Sequence, residues 1–237
     1  MKPEFPPDNM PGHVGIIMDG NGRWAEMKGL PRVEGHRRGA DRAKEIIEAS
    51  KEFGIKALTL YAFSLENWQR PGAEVAMIMK LLEIYLRREM YEFKKEGIRF
   101  RAVGDLNRLS QGVRSLVAQA EALTSACKNM VLTAAISYGG RDEIVRAVKK
   151  ALQSGIAPQD ISENSFSDLL DTKGLPDPDL IIRTSGEKRM SNFLLWQSAY
   201  SELYFTDTLW PEFGREELLG ALRDYQMRDR RFGAVKL

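Results

Sequence analysis

The sequence predicts a single α/β domain with a mostly parallel central sheet flanked by helices on both faces. Short apolar segments of strand length alternate with longer segments in which apolar residues recur every three or four positions. This alternation is typical of a parallel sheet, because each parallel connection needs a crossover, usually a helix. The 237 residues suit one sizeable core, and no repeat or linker divides them. We therefore expect one domain over 1–237, with the proline-rich segment 1–12 as a loosely held arm.

Six short segments predict the strands. They are 13–18, 57–63, 98–103, 130–136, 180–182 and 202–205. The runs at 13–18 and 130–136 are apolar throughout, as expected for strands buried on both faces. The segment 98–103 alternates strictly between apolar and polar positions, which indicates a half-exposed strand.

Helical periodicity occupies most of the remaining chain. The predicted helices are 39–53, 74–95, 111–127, a helix from 144 that ends at Gly155, a short helix near 165–171, a helical start at 193–196 and a final helix from Trp210. Gly54 and Gly97 suit the C-terminal caps of the first two. The basic segment 25–36 has no clear period, so we interpret it as a loop or short helix that can close over a site.

Composition excludes several classes of function. The chain has 35 basic and 33 acidic residues, so its net charge of +2 creates no global field for nucleic acid. One cysteine, Cys127, excludes an internal disulfide and a cysteine-based metal site, and it suits a reducing cytosol. The N-terminus lacks the apolar core of a signal peptide, and no apolar run approaches a membrane span. We expect a cytoplasmic protein with at most peripheral contact at the inner face of the membrane.

Four predicted strands end in polar turns that are rich in arginine. The turns are 19–24, 64–70, 138–141 and 183–191. In a parallel sheet the carboxyl ends of the strands share one edge, where ligands bind. Arginine binds phosphate through paired N–H groups, and Mg²⁺ binds through few carboxylates together with substrate phosphates. The carboxylate of Asp19 among these arginines therefore predicts a Mg²⁺-dependent site for one or two highly charged anions; surface ion pairs on loops are the alternative.

Other catalytic motifs are absent from the sequence. It contains no G-x-x-x-x-G-K-[ST] phosphate loop, no dinucleotide fingerprint, no zinc motif and no G-x-S-x-G elbow. Of the two histidines, His13 opens a strand and is interpreted as structural. His36 lies between basic residues and is a candidate donor to a phosphate oxygen.

The helix at 74–95 has an unusually wide apolar face. Met77, Leu81 and Met90 extend it beyond a single stripe. Ordinary core packing is one interpretation. The other is that part of this face lines a hydrophobic tunnel between the sheet and the helices, since flexible side chains suit such a wall.

Five segments carry a resemblance to a known family. They are HVGIIMDGNGRWA at 13–25, GH at 35–36, LYAFSLENWQRP at 60–71, SYGGR at 137–141 and DLIIRTSGEKRMSNFLLW at 179–196. In this order they resemble the cis-prenyltransferases, the family of bacterial undecaprenyl diphosphate synthases. The resemblance runs from about 11 to 233.

The resemblance implies an activity. Enzymes of this family use Mg²⁺ to condense isopentenyl diphosphate onto an allylic diphosphate, and the new double bond is Z. Farnesyl diphosphate is the expected primer. Undecaprenyl diphosphate, a carrier-lipid precursor for cell-wall synthesis, is the expected product. A product of another length, a non-catalytic accessory subunit and a phosphatase with a nucleophilic Asp19 are the alternatives.

The resemblance also implies roles for individual residues. The expected catalytic residues are Asp19, His36 and Asn67. The allylic diphosphate is expected to bind to Gly20, Asn21, Gly22, Arg23, Arg32 and His36. Trp24 and Trp68 are expected to flank the substrate. A mobile loop after the second strand carries Ser64, Leu65, Glu66, Asn67 and Arg70. Isopentenyl diphosphate is expected to bind to Arg183, Arg189, Met190 and Ser191. The implied Mg²⁺ ligands are Asp19 and Glu202.

Three further expectations follow from the resemblance. Asn67 matches the proton acceptor of the family, but a neutral amide is a very weak base, so it is equally expected to orient a diphosphate oxygen or a water that takes the proton. Ala62 and Ile136 are expected tunnel walls. The segment 231–233 resembles the R-x-G motif that reaches the partner's site in the family homodimer.

Overall fold

The computed structural model describes residues 9–229, and its centre is a sheet of six strands that all run parallel. The strands are β1 His13–Ile17, β2 Ala57–Ser64, β3 Ile98–Val103, β4 Met130–Tyr138, β5 Leu180–Arg183 and β6 Glu202–Phe205. Each predicted strand is confirmed to within two residues. The spatial order is β3-β4-β2-β1-β5-β6, so the chain leaves β1 and β5 in opposite directions. Such a switch point is where open α/β sheets bind ligands.

Seven α-helices connect the strands within 9–229. They are α1 Asn21–Met27, α2 Arg32–Glu52, α3 Gly72–Lys95, α4 Gln111–Thr124, α5 Gly140–Gln153, α6 Glu163–Ser167 and α7 Arg215–Met227. Single 3-10 turns occupy Leu65–Gln69, Leu106–Arg108, Pro158–Asp160 and Trp210–Glu212. No helix in this part of the chain combines the length and apolar character needed to cross a membrane.

The segment 25–36, interpreted as a loop or short helix, is mainly helical. Most of it belongs to α1 and α2, which are joined only by residues 28–31. Glycines in this segment hide the helical period because glycine is a poor helix former. Gly35 is nevertheless required inside α2, since a Cβ there would lie 2.0 Å from the carbonyl oxygen of Asn21.

Three other boundaries need correction. Residues 193–196 form turns rather than a helix, and Leu194 has a left-handed φ of 44°. The final helix begins at Arg215, because Pro211 and the 3-10 turn at Trp210–Glu212 precede it. The short helix expected near 165–171 ends at Ser167. Most of the predicted arm 1–12 and the motif at 231–233 lie outside the described residues.

The strands are apolar because both faces of the sheet are covered. The larger core cluster joins one face to α2, α3, α4 and α7 through residues such as Leu58, Ile46 and Leu222. A smaller cluster on the other face contains Tyr61, Tyr138 and Phe193. The strand ends align in space: Ile17 lies opposite both Tyr61 and Arg183. The polar turns therefore share one edge, as predicted.

Candidate active site

Asp19 lies just beyond the end of β1 and is tied to the end of β5. Its backbone N–H donates to Thr184 Oγ1 at 2.9 Å, and the Thr184 hydroxyl donates to the Asp19 carbonyl at 2.6 Å. Its carboxylate accepts a hydrogen bond from Arg183 Nη2 at 2.9 Å, while Arg23 Nη2 lies 3.8 Å away. The backbone and the carboxylate of Asp19 are thus fixed by separate contacts.

Two glycines after Asp19 shape the start of α1, and Gly20 is required by its backbone conformation. Gly20 has a φ of 110°, a left-handed conformation that strains any other residue, and α1 starts at the next position. At Gly22 a Cβ would lie 2.5 Å from Arg32 Nη2, so the guanidinium of Arg32 packs on the bare backbone. The guanidinium of Arg32 therefore lies directly over the first turn of α1.

Arg183 organises the turn that follows β5. Only 4% of its side chain is exposed. Its Nη1 donates to Ser191 Oγ at 2.6 Å and to the carbonyl of Arg189 at 2.5 Å. Its Nε is buried without a hydrogen-bond partner among the described residues. This unsatisfied donor is available to an anion.

The 3-10 turn after β2 carries a second set of polar groups. The Ser64 N–H donates to Asn67 Oδ1 at 3.1 Å, which fixes the orientation of the Asn67 amide. Glu66 Oε1 accepts from Asn192 Nδ2 at 2.9 Å. Burial favours a higher pKa for Glu66, but hydrogen bonds from Asn192 and Ser64 outweigh it and keep its pKa below the usual range. Glu66 is therefore ionised at neutral pH.

Two arginines and His36 converge on Glu74, in the first turn of α3. Arg70 Nη1 lies 3.1 Å from Glu74 Oε1, and Arg32 Nε lies 3.9 Å from its Oε2. His36 Nε2 is 3.5 Å from Oε1, at the limit of a hydrogen bond. Burial and the nearby Arg70 lower the pKa of His36 despite Glu74. His36 is consequently a neutral imidazole at pH 7 and can offer one N–H donor.

Three adjoining cavities bring these groups together. The outer pocket, of about 440 Å³, is lined by Ile17, Met18, Asp19, Tyr61, Ser64, Glu66, Asn67, Arg70, Arg183, Ser191 and Asn192. The inner pocket, of about 170 Å³, is lined by Met18, Asp19, Gly20, Asn21, Gly22, Arg23, Arg32, His36, Tyr61, Ala62, Phe63, Asn67, Arg70 and Ile78. The apolar cavity, of about 140 Å³, is lined mainly by α2, β2 and α3.

The cavities share walls. The outer and inner pockets have Met18, Asp19, Tyr61, Asn67 and Arg70 in common. The inner pocket and the apolar cavity share Met18, Asn21, His36, Ala62 and Ile78. Two polar pockets therefore meet at Asp19, and one of them adjoins an apolar cavity.

Several residues predicted for the site line neither polar pocket. Arg189 is 59% exposed and pairs with Glu187. Trp24 donates to Glu212, and Trp68 donates to Ser137 and packs against Phe63. Leu65 and Met190 are also absent from both walls.

The structure does not bring Glu202 to Asp19. Glu202 begins β6 opposite Leu180, whereas Asp19 follows the other end of the neighbouring strands. Three residues of strand, about 10 Å, separate the two levels. Glu202 instead accepts from Arg228 Nη1 at 2.8 Å. The two carboxylates therefore cannot share one ion within a single chain.

The expected tunnel walls are only partly placed at the apolar cavity. Ala62 and Leu81 line it. Ile136 and Met90 do not, since Ile136 is wholly buried in the sheet and Met90 is packed in the core near the end of α3. These two assignments are corrected to core packing.

Three residues of the site were missed from the sequence. Tyr61 donates to the carbonyls of Tyr138 and Ser191 and stacks on Phe193 at 4.6 Å. Asn192 lines the outer pocket. Glu74 is the carboxylate on which Arg32, Arg70 and His36 converge. Asn192 directly follows the predicted turn 183–191. That position in the sequence was the signal that could have assigned it to the site.

Asp19 is suited to bind a divalent cation, but only together with a ligand. No group of three or more histidine, cysteine, aspartate or glutamate side chains converges within 9–229. In the same range, Asp19 Oδ1 has no hydrogen-bond partner, and the residue faces both polar pockets. Mg²⁺ is typically bound by one or two carboxylates, water and substrate phosphates. The donor set fits that mode of binding.

Comparisons with known proteins agree with this geometry. Residues 17–233 match the family model described as putative undecaprenyl diphosphate synthase. The chain is 54% identical over 226 residues to an isoprenyl transferase of Aquifex aeolicus, covering 95% of this chain and 97% of that protein. It is 49% identical to an isoprenyl transferase of Clostridium perfringens, over 97% and 92% of the two chains.

Solved structures are similar as well. Lavandulyl diphosphate synthase from Lavandula x intermedia, in complex with dimethylallyl diphosphate, has a TM-score of 0.91 and 41% identity over 95% of this chain and 99% of that chain. A probable undecaprenyl diphosphate synthase from Campylobacter jejuni has a TM-score of 0.81 and 36% identity over the same shares. The chain belongs to the undecaprenyl diphosphate synthase family and is a prenyl transferase.

Proposed function

We propose that the enzyme is a Mg²⁺-dependent cis-prenyltransferase that condenses isopentenyl diphosphate with an allylic diphosphate. Farnesyl diphosphate is the proposed primer, and undecaprenyl diphosphate, the cell-wall carrier-lipid precursor, is the proposed product. The observation that carries this proposal is the meeting of two polar pockets at Asp19, with an apolar cavity behind one of them. A reaction between two diphosphates, one with a growing apolar tail, needs these three spaces.

The adjoining walls support a proposed assignment of the two substrates to the two polar pockets. The inner pocket adjoins the apolar cavity, so it takes the allylic diphosphate and lets the tail enter the cavity. The outer pocket contains Arg183 and Ser191 and takes isopentenyl diphosphate. Holding both substrates side by side converts the condensation into an effectively unimolecular step.

The diphosphate that leaves the allylic substrate needs its charge neutralised. Arg23, Arg32 and Arg70 line the inner pocket, and the neutral His36 can donate one hydrogen bond to the same group. Asp19 is proposed as the protein ligand of Mg²⁺, which when bound supplies Lewis-acid stabilisation to the diphosphate. Arg183 keeps the Asp19 carboxylate at the wall between the two substrates.

The geometry of Asn67 favours the orienting role over that of a base. A backbone N–H can only donate, so Asn67 Oδ1 is the acceptor in the bond from Ser64. The Nδ2 group remains to donate to a ligand in the outer or inner pocket, both of which Asn67 lines. We propose that Asn67 orients a diphosphate oxygen or water that takes the proton from isopentenyl diphosphate.

The product length has two candidate answers. The apolar cavity of about 140 Å³ is of the size that holds a benzene-sized molecule. A farnesyl tail is larger, and we propose that α3 moves away from the sheet when a long product forms. A shorter product needs less movement, and the similarity to lavandulyl diphosphate synthase supports that alternative.

We also propose a homodimer in the cytoplasm, with at most peripheral membrane contact for product release and no nucleic-acid partner. Exposed apolar side chains support the dimer: Val145, Val148 and Leu152 share one face of α5, and Leu203 is exposed on the edge strand β6. Light scattering on the wild type and on Val148→Glu tests it. A wild-type mass of one chain would contradict the dimer.

Incorporation of radiolabelled isopentenyl diphosphate tests the activity. Wild-type enzyme with farnesyl diphosphate should form labelled, butanol-soluble product, and EDTA should abolish it until Mg²⁺ is restored. Thin-layer analysis of the dephosphorylated product gives its length. An accessory subunit would incorporate no label, and a phosphatase would release phosphate without condensation; either result would contradict the proposal.

A further inference from the structure

The side chain of Asn192 joins separate segments at the rim of the outer pocket. Its Oδ1 accepts from the backbone N–H of Arg141 at 2.9 Å, and its Nδ2 donates to Glu66 Oε1 at 2.9 Å. Its carbonyl accepts from the N–H of Gly140 at 2.7 Å. Both side-chain bonds require one planar group that carries a donor and an acceptor. Aspartate has the acceptor but lacks the donor at neutral pH.

The backbone around Asn192 supports a specific placement of this amide. Asn192 has a left-handed φ of 64°, a conformation that asparagine tolerates better than most residues. Gly139 lies beneath it, and a Cβ at Gly139 would be 2.7 Å from Asn192 Nδ2. The φ of Gly139 is −159°, which any residue adopts, so a larger residue here would be resisted by this contact rather than by the backbone.

Asn192 links opposite walls of the outer pocket. On one side it follows Ser191, whose hydroxyl accepts from Arg183 at 2.6 Å. On the other side its partner Glu66 precedes Asn67 in the 3-10 turn after β2. We propose that Asn192 is a positioning residue that holds the loop binding isopentenyl diphosphate in register with the turn that carries Asn67. The inference rests on the proposed function and assigns Asn192 no contact with the reacting atoms.

A coupling of this kind affects one substrate selectively. Asn67 lines both pockets, but the residues found only in the inner pocket, such as Gly22 and His36, receive no hydrogen bond from Asn192. Loss of the Asn192–Glu66 bond should therefore raise KM for isopentenyl diphosphate and lower kcat, while KM for the allylic diphosphate changes much less. A general loss of structure would change both KM values.

A charge-swap cycle tests the proposal. Asn192→Asp places a carboxylate against Glu66 and should reduce kcat/KM for isopentenyl diphosphate roughly 10- to 100-fold. In the Glu66→Gln background, the introduced amide can donate to the new carboxylate, so the same change should cost less than about 3-fold. The effect of Asn192→Asp is measured once with Glu66 and once with Gln at position 66. Any catalytic role of Glu66 is the same with and without Asn192→Asp in each background, so it cancels. Asn129→Asp, on the exposed opposite edge, is the matched control and should have wild-type kinetics.

Gly139→Ala gives a second test if Asn192→Asp does not fold. It retains both partners and pushes the amide of Asn192 aside, with a second, weaker contact at Leu65 Cδ1 at 3.1 Å, so it should give the same selective rise in KM. Equal losses of kcat/KM for Asn192→Asp in both backgrounds, or wild-type kinetics of Gly139→Ala, would overturn this inference but leave the proposed function intact. A folded wild type without prenyl transfer would overturn the proposed function, and the inference with it.

Discussion

Arg183 donates a hydrogen bond of 2.9 Å to Asp19 Oδ2 while its guanidinium is almost wholly buried. Nη1 of Arg183 donates to Ser191 Oγ and to the carbonyl of Arg189, so one side chain connects the carboxylate to the turn after β5. Removing Asp19 would leave a buried cation without its counter-ion, whereas Asn at the same position still offers an oxygen. This difference decides which variant is informative.

The first prediction concerns the charge of Asp19. Asp19→Asn should keep the fold, because its amide oxygen can accept from Arg183, but it should lose turnover by about 10²-fold or more. Steady-state incorporation of isopentenyl diphosphate and a thermal melt measure the two effects. Asp168→Asn, an exposed position, is the control and should change neither. Near-normal turnover of Asp19→Asn would contradict the assigned role.

The second prediction concerns product length. Ala62→Leu and Leu81→Trp fill the apolar cavity, so both should shorten the dephosphorylated product on thin-layer plates. Ile84→Phe enlarges a side chain of the same helix that is 49% exposed, and it should leave the product unchanged. If all three variants give wild-type products, the tail does not occupy this cavity.

The third prediction compares two helical glycines. Gly35→Ala would force a methyl group against the backbone of Asn21 and should destabilise the protein by about 1–3 kcal/mol. A Cβ at Gly220, on α7, would have no atom within 4 Å, so Gly220→Ala should stabilise the protein by about 0.5–1 kcal/mol. Urea unfolding measures both. Changes of the same sign would refute the packing of α1 on α2 described here.

The fourth prediction concerns His13 and pH. Burial lowers the pKa of His13, although its bond to the carbonyl of Pro176 and the charge of Asp179 partly oppose the shift. Below about pH 6.5 the unfolded chain therefore binds more protons than the folded chain, and the free energy of unfolding falls as the pH decreases. His13→Gln removes this contribution. Its free energy of unfolding should fall less than that of the wild type between about pH 7.5 and about pH 5.5.

Urea titrations at the two pH values measure the difference between variant and wild type. His36 has a pKa shifted in the same direction and remains in both proteins, so its effect cancels. An equal fall in the two proteins would mean that His13 takes up no proton on unfolding.

Strand order along the chain and the shared edge of the polar turns were predictable from the sequence. Apolar strands buried on both faces have a clear signature, and parallel strands necessarily end at one edge. Asp19, Arg32 and Arg183 were therefore assigned to one region correctly. Helix α2 was predicted too short because Gly35 interrupts its pattern, and only the close approach of Asn21 explains that glycine.

Contacts between distant segments could not be predicted. Nothing near Asn192 in the sequence indicates that its amide reaches Glu66, 126 positions away. The separation of Glu202 from Asp19 within one chain was unpredictable for a related reason: a motif identifies a residue, but the register of β6 against β5 decides its level along the strands. Ile136 and Met90 were assigned to a wall because apolar composition does not distinguish core from cavity.

The wall that the outer and inner pockets share has a consequence for repeated synthesis. In the proposed condensation the lengthened product carries the diphosphate that arrived with isopentenyl diphosphate, so it begins each new cycle in the outer pocket. Asp19, Asn67 and Arg70 line both pockets, and the diphosphate can pass from one to the other while these groups stay in contact with it. In the proposed reaction, the product would thereby pass from the outer to the inner pocket without release to solvent.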